Sequence, residues 1–393
     1  MLPGPSVNTS FGTVVGTWDV TESGLPFKAF RGLKYGKFVK RFHEAEPYKS
    51  QDSLISANQE GLICPQTNPF GENMSEDCLY LNIYTPEQGD KLSVMVWIHG
   101  GALQSGSGNN LMYGPQFILE KDVILVTINY RLGAFGFLSL ETNAVPGNFG
   151  FKDQILALKW VKENIESFGG NSEDITIFGE SAGSFSVMYQ VVSPLATGLF
   201  NKAIAESGAP FNFYIAGSRP NKPHQTAVAL GHSLGCSSQT DDILLACLGI
   251  KSVEEILNAI YLCVDDNICT FNPWDAIIDD FADNPFLPDS PENLVKKGEY
   301  SKVPMLVGVV GEEGIYSAAR YITNETSFDI INNYWDYYGP IYIFDTSNPT
   351  PEEVDLSNVI KYFYLQDNPA SMDNIHDVID MFSDNLFLSG AHR

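Results

Sequence analysis

The chain has 393 residues, of which 44% are hydrophobic and 18% charged, a composition typical of a globular protein and not of a disordered one. Its 48 acidic and 23 basic residues give a net charge of −25, which argues against binding to nucleic acid or to an anionic membrane. The same negative charge would attract cationic substrates, although a contribution to solubility is enough to explain the excess of acidic residues. The length suits one large α/β domain or two smaller ones.

The cysteines give an indication of the compartment. Their even number, in three close pairs, is typical of short disulfide loops in an oxidising environment, and Asn8, Asn73 and Asn324 each begin an N-x-S/T triplet. Six buried thiols of a cytosolic enzyme are the alternative. Residues 1–12 lack the features of a signal peptide, and no apolar run is long enough to span a membrane. We therefore expect a secreted protein whose leader is absent from this sequence. The cysteines are Cys64, Cys78, Cys236, Cys247, Cys263 and Cys269.

Strand and helix patterns alternate along the chain. Residues 12–35 alternate apolar and polar positions, which predicts antiparallel strands at a sheet edge, and residues 154–165 have the apolar spacing of a helix. Such alternation predicts an α/β fold, with a mostly parallel sheet covered by helices on both faces. Residues 211–300 are expected to form a capping excursion within a single domain and not a second domain. Further strands are predicted at 79–84, 94–98, 123–128, 174–178, 202–205 and 303–310.

The chain is organised around residues 168–183, FGGNSEDITIFGESAG. A short apolar strand leads into Gly179-Glu180-Ser181-Ala182-Gly183, and an apolar helical segment, 184–192, follows. A G-x-S-x-G between a strand and a helix is the nucleophile elbow of α/β-hydrolases, where a sharp turn exposes the serine. The sequence therefore predicts that Ser181 is a nucleophile.

Two further stretches supply the remaining groups of a serine hydrolase. His99-Gly100-Gly101-Ala102 follows a predicted strand, the position that contributes amide donors to an oxyanion hole, and Ala182 would contribute another. An acid is expected on a loop after a later strand. Gly311-Glu312-Glu313-Gly314 follows the strand predicted at 303–310, and on this reasoning either glutamate qualifies.

At this point the sequence resembles the type-B carboxylesterases, the carboxylesterase/cholinesterase family, over essentially its whole length. Residues 168–183 match the serine signature of that family, and residues 76–86, EDCLYLNIYTP, match its second signature. Residues 129–131, 147–154 and 198–208 contain further family-like motifs in the same order. The resemblance implies an α/β-hydrolase fold and a serine carboxylic-ester hydrolase acting on small-molecule esters through an acyl-enzyme, with no metal or organic cofactor.

The resemblance also assigns roles to individual residues. It makes Ser181 the nucleophile and Glu313 the acid that orients a histidine; Glu180 is interpreted as structural or electrostatic. It pairs Cys64 with Cys78 and Cys236 with Cys247, which leaves Cys263 and Cys269 for a local third disulfide. The oxyanion hole is assigned to the amides of Gly101, Ala102 and Ala182.

Two departures from the family pattern affect the pocket. The chain has Gly-Gly-Ala where the family has three glycines, and the Ala102 methyl is expected to disfavour bulky alcohol groups, which rapid turnover of tertiary-alcohol esters would contradict. The early proline-rich loop is shortened to residues 36–40, so the rim of the gorge is expected to differ.

The third departure concerns the catalytic histidine, which in the family lies further along than this chain extends. None of the six histidines fits the role. We therefore expect a single 393-residue α/β-hydrolase domain that lacks its C-terminal part, exposes a sheet edge and apolar surface, and is poorly soluble and nearly inactive alone. High activity on an aryl ester, abolished by Ser181→Ala, would contradict this. The histidines are His43, His99, His224, His232, His376 and His392.

Two alternatives remain at this level. The same fold serves non-catalytic adhesion proteins that resemble neuroligins. Those proteins lose the nucleophile, which this chain keeps. The missing histidine nevertheless favours a catalytically incomplete form. A cholinesterase is disfavoured because residues 65–77, between the first two cysteines, contain Phe70 but no tryptophan to bind a cation. The natural ester and the oligomeric state cannot be predicted from the sequence.

Overall fold

The computed structural model describes residues 4–211, 222–259, 273–344 and 349–392. The strands in these ranges are β1 (Ser6–Thr9), β2 (Gly12–Val15), β3 (Thr17–Val20), β4 (Pro26–Lys34), β5 (Gly36–Lys37), β6 (Glu46–Pro47), β7 (Leu54–Ser56), β8 (Tyr80–Pro86), β9 (Leu92–Ile98), β10 (Val123–Ile128), β11 (Gly170–Glu180), β12 (Lys202–Glu206) and β13 (Met305–Gly308). The helices are α1 (Gly133–Phe137), α2 (Phe149–Asn164), α3 (Ala182–Val192), α4 (Lys222–Ser233), α5 (Asp241–Ile250), α6 (Val253–Ala259), α7 (Pro291–Lys297), α8 (Ile315–Thr323), α9 (Phe328–Asn333), α10 (Trp335–Phe344), α11 (Pro351–Leu365), α12 (Ile375–Ser383) and α13 (Ser389–His392).

One large sheet forms the centre of the molecule. Its strand order is β13-β12-β11-β9-β10-β8-β4-β3; the first five of these strands are mutually parallel, and β8, β4 and β3 pair antiparallel with their neighbours. The sequence prediction of a mostly parallel sheet with antiparallel strands at the N-terminal edge is confirmed. Smaller sheets join β1, β2 and β7, and β5 and β6.

The sheet and the helices that cover it share one core. In each element the apolar residues recur at the strand or helix repeat, so they lie on the face that packs against the neighbouring layer. In β9, Val94, Val96 and Ile98 are fully buried. The α2 face predicted to be apolar is also buried, with Leu158 and Val161 both 0% exposed. Each such side chain contributes about 1.5–3 kcal/mol on burial. A second buried cluster is formed by α8 to α12 near the C-terminal end of the described chain.

The buried pair Arg131 and Asp153 gives a physical reason for two of the family-like motifs. The Arg131 guanidinium donates to both carboxylate oxygens of Asp153 at 2.7 Å, and another of its N–H groups donates to the His43 carbonyl. Both charges are buried, and the low dielectric of the interior makes their mutual attraction strong. The pair ties the segment after β10 to the first half of α2.

Strand β13 lies at the edge of the large sheet and is shorter than the predicted strand at 303–310. Its residues Met305, Leu306 and Val307 are 38%, 65% and 40% exposed, and Val310 beyond the strand is 61% exposed. Strand β13 therefore presents exposed apolar side chains at this edge of the sheet.

The disulfides Cys64–Cys78 and Cys236–Cys247 both form, as the resemblance implied. The first closes a loop that is hydrogen-bonded to Gly106 through Gln66 and to Asn109 through Glu72, and the second joins the turn after α4 to α5. Cys263 and Cys269 lie outside the described residues. Within the described ranges, no helix is long and apolar enough to cross a bilayer.

Candidate active site

Ser181 lies at a sharp turn between β11, which ends at Glu180, and α3, which begins at Ala182. Its φ of 55° and ψ of −124° fall in a region that non-glycine residues rarely occupy, and such strain is typical of functional sites. The turn is held by two backbone bonds: the Ser181 N–H donates to the Glu206 carbonyl at 2.9 Å, and the Ser181 carbonyl accepts from Phe185.

The glycines of the G-x-S-x-G motif are required by close packing. A Cβ on Gly179 would lie 2.5 Å from the Ile98 carbonyl oxygen, and a Cβ on Gly183 would lie 2.0 Å from the same oxygen. Both distances are far below van der Waals contact. The end of β9 therefore presses directly against the elbow, and this contact brings the loop after β9 beside the serine.

The loop from His99 to Ala102 abuts the serine. A Cβ on Gly100 would lie 3.2 Å from the Ser181 Cβ, while Gly101 and Ala102 have φ values of 104° and 55°. The Gly101 carbonyl accepts from Ser105, and because the peptide is planar and trans, the Ala102 N–H points the opposite way. In the described chain, the amide N–H groups of Gly101, Ala102 and Ala182 donate to no protein acceptor.

The His99 side chain supports this loop, which the sequence did not reveal. The ring is fully buried, donates from Nδ1 to the Gly100 carbonyl at 2.8 Å and stacks on Tyr130 at 4.3 Å. The Tyr130 hydroxyl donates in turn to the His99 carbonyl. Burial lowers the pKa of His99 to about 4, so the ring is neutral at neutral pH. The Gly100 carbonyl and the Gly101 N–H belong to one planar trans peptide and point in opposite directions. By holding the Gly100 carbonyl, His99 therefore also fixes the direction of the Gly101 N–H.

The two glutamates that the sequence left open occupy different environments. Glu313 is 8% exposed and accepts from the Val310 N–H at 2.9 Å, and its charge acts on Glu180 beside the nucleophile. The Glu312 carboxylate is half exposed and lies 3.4 Å from the exposed His376 ring. The loop is held from behind by Ser383 of α12, whose Oγ accepts from the Gly314 N–H. Of the two, only Glu313 is coupled to the elbow.

The turn after β12 completes the surroundings of the serine. The Glu206 carbonyl of this turn accepts the Ser181 N–H. Gly208 lies so close to the elbow that a Cβ on it would be 2.7 Å from the Ser181 carbonyl oxygen. Ser184 of α3 donates to the Gly208 carbonyl, and Ser207 has a strained φ of 58°. The sequence marked these residues only as a family-like motif, and their contact with the elbow depends on the parallel pairing of β11 and β12.

Three acidic residues lie in the segments that surround Ser181: Glu180 at the end of β11, Glu206 at the end of β12 and Glu313 in the loop after β13. Burial, and then the charges of Glu313 and Glu206, raise the pKa of Glu180; burial raises that of Glu206. A carboxyl group whose pKa is raised by folding binds protons more tightly in the folded state, so its ionisation destabilises the fold as pH rises above its ordinary pKa of about 4.3.

The variant Glu180→Gln is therefore expected to be more stable than the parent chain, by an amount that grows between pH 5 and pH 8. The measurement is the urea midpoint at the two pH values. The matched variant Glu87→Gln removes the same charge from an exposed turn and is expected to show no such growth. An equal gain at both pH values for Glu180→Gln would contradict the assignment.

The histidines are dispersed over the described structure. His43 bonds to the Arg41 carbonyl, His224 to Asp241 and His232 to Ser238. His392 is exposed at the end of α13. In the described ranges, no histidine forms a hydrogen bond with Ser181 or Glu313. No group of three or more His, Cys, Asp or Glu side chains within those ranges is arranged to hold a metal ion.

A parallel sheet whose central strand delivers a strained serine to a helix N-terminus, beside a glycine loop from the neighbouring strand, defines the α/β-hydrolase fold. Residues 3–393 match the model of the carboxylesterase family, and the chain belongs to that family. It is 35% identical over 398 residues to venom carboxylesterase-6 of Apis mellifera, covering 98% of this chain and 70% of that protein. It is 36% identical over 399 residues to a carboxylic ester hydrolase of Bombus ignitus, with coverages of 98% and 70%. It is 35% identical over 414 residues to juvenile hormone esterase of Tribolium castaneum, with coverages of 99% and 69%.

Proposed function

We propose that this protein is a serine carboxylic-ester hydrolase. The observation that carries the proposal is the strained Ser181 beside three amide N–H groups that have no protein acceptor. The Ser181 Oγ attacks the ester carbonyl and loses its proton to a base, while Gly101, Ala102 and Ala182 stabilise the charge on the carbonyl oxygen. Collapse of the tetrahedral intermediate releases the alcohol and leaves an acyl-enzyme. Water then attacks that acyl group and releases the acid.

The role of Glu313 in this mechanism is to orient the base. Its burial and its charge beside the elbow support that role. Proton transfer in such a step requires a base within hydrogen-bond reach of the serine, and none of the histidines in the described ranges has that position. We infer that the 393-residue chain holds nucleophile, oxyanion donors and acid but turns over esters slowly. The second candidate, a catalytically incomplete form of the fold, is favoured by the same observation.

Hydrolysis of p-nitrophenyl acetate with and without added imidazole tests this proposal. Free imidazole can act as the base, although it lacks the advantage of a positioned general base, which is typically about 10²–10⁴-fold in rate. The enzyme-dependent rate, after subtraction of the reaction of imidazole alone, is expected to be low and to rise with imidazole concentration. A high rate without imidazole would contradict the missing base, and no enzyme-dependent rate in either condition would contradict the hydrolase proposal.

The substrate and the compartment are proposed on separate grounds. The names of the relatives support a small-molecule carboxylic ester as substrate, and the mechanism above needs no metal or cofactor. Secretion and glycosylation are supported by the two disulfides and by the exposure of all three asparagines that begin N-x-S/T triplets, Asn8, Asn73 and Asn324. The negative net charge supports the absence of nucleic-acid partners.

A further inference from the structure

Apart from the candidate active site, a cleft of about 900 Å³ opens between the sheet of β1, β2 and β7, the end of β4 and the second half of α2. Small-molecule pockets typically measure about 300–1,000 Å³. None of the residues that surround Ser181 lines this cleft. It is therefore a separate concave surface of the size that holds a small ligand.

Aromatic rings line the cleft. Trp160 of α2 is only 8% exposed and lies 5.7 Å, centroid to centroid, from Phe11 in the turn between β1 and β2. Tyr48 and Tyr80 also line the cleft, and the Lys34 ammonium lies 5.1 Å and 5.8 Å from their ring centroids. Aromatic side chains in a cleft favour a flat aromatic ligand.

The charges that line the cleft differ from those of the chain as a whole. Lys34, Lys49 and Lys159 line it, against Asp52 and Glu163, whereas the chain has 48 acidic and 23 basic residues. Lys34 is paired with Asp77, which does not line the cleft. Lys49 and Lys159 are exposed and form no ion pair with any residue of the described ranges. Two lysine charges at the cleft are thus available to an anion.

We propose that this cleft binds an aromatic carboxylate or sulfonate, a site independent of the ester-hydrolysing site. The aromatic part of the ligand packs between the ring pairs, where burial of apolar surface favours binding. Its anionic group faces Lys49 and Lys159, whose ammonium groups act as point charges for an oxyanion. The net negative charge of the protein repels every anion, so the attraction of these two lysines has to offset that repulsion for the bound ligand.

Isothermal titration with 2-naphthoate at low salt tests the proposal, with the neutral isostere 2-naphthalenemethanol as the comparison ligand. Saturable 1:1 binding of naphthoate is expected, tighter than binding of the alcohol and weakened by added salt. The double variant Lys49→Glu/Lys159→Glu is expected to bind naphthoate at least about tenfold more weakly. The matched double variant Lys121→Glu/Lys302→Glu changes the net charge equally at two exposed lysines outside the cleft, and its affinity is expected to stay unchanged.

A phosphonate that blocks Ser181 tests whether the two sites are independent. Naphthoate binding is expected to persist in the blocked protein. The proposal is overturned by a lack of saturable binding, by equal weakening in both double variants, by equal affinity for the alcohol, or by loss of binding on blocking Ser181. Because all the substituted lysines are exposed, unchanged melting temperatures are expected to accompany the binding data. The result is independent of whether the chain hydrolyses esters.

Discussion

Ser181→Ala is expected to abolish the imidazole-dependent part of the hydrolysis of p-nitrophenyl acetate by the protein. The reason is that in the proposed mechanism the Ser181 Oγ forms the acyl-enzyme, and no neighbouring hydroxyl has its position at the elbow. Stabilisation by the oxyanion donors alone can leave a residual rate enhancement over water of about 10³–10⁴ in enzymes that have lost a triad residue. The imidazole-dependent part of the rate, and not the total rate, is therefore the informative quantity.

Ser184→Ala provides the matched control for this prediction. Ser184 lies in the first turn of α3 and donates to the Gly208 carbonyl, so its loss perturbs the same region without removing the Ser181 hydroxyl. This variant is expected to retain imidazole stimulation. Equal stimulation of Ser181→Ala and the parent chain would show that another residue attacks the ester.

Gly183→Ala is expected to destabilise the protein by about 3 kcal/mol or more, because its Cβ would lie 2.0 Å from the Ile98 carbonyl oxygen. Relief of that overlap requires β9 and the elbow to move apart. The same movement would displace the amides of Gly101 and Ala102 from Ser181. The variant is therefore expected to lose both stability, measured by urea denaturation, and ester hydrolysis.

Gly249→Ala is the matched control for Gly183→Ala. Gly249 is exposed in α5, and a Cβ there would meet nothing within 4 Å. Alanine in a helix is favoured over glycine by roughly 0.5–1 kcal/mol, so this variant is expected to be slightly more stable. Equal urea midpoints for the two variants would contradict the close packing of β9 against the elbow.

The parts of the fold that were predictable from sequence are those determined by neighbours in the chain. The strand, serine and helix around Ser181 are consecutive, so their order alone indicates the elbow. The buried face of α2 follows from a helical repeat of apolar residues. The predicted strands before and after the elbow were found for the same reason, although β13 is shorter at both ends than the apolar run at 303–310.

The parts that were not predictable depend on contacts between distant segments. Strand and loop patterns leave Glu312 and Glu313 equivalent, and the family resemblance alone selects Glu313; the burial of Glu313 and the exposure of Glu312 depend on the docking of α12 against the loop. The raised pKa of Glu180 arises from burial and then from the charges of Glu313 and Glu206, which are distant in the chain, so no local pattern encodes it. The support of the oxyanion loop by His99 likewise depends on its stacking against Tyr130, 31 residues later.

The most direct test of the serine mechanism is covalent labelling of the purified chain with an aryl fluorophosphonate, followed by intact-mass measurement and peptide mapping. Such reagents react with a serine held beside oxyanion donors once a base removes its proton, so the labelling is carried out with imidazole present. A single adduct per chain is expected, located on Ser181 and absent from Ser181→Ala. An unmodified mass in the presence of imidazole, or an adduct mapped to another residue in the parent chain, would contradict the assignment of Ser181 as the nucleophile.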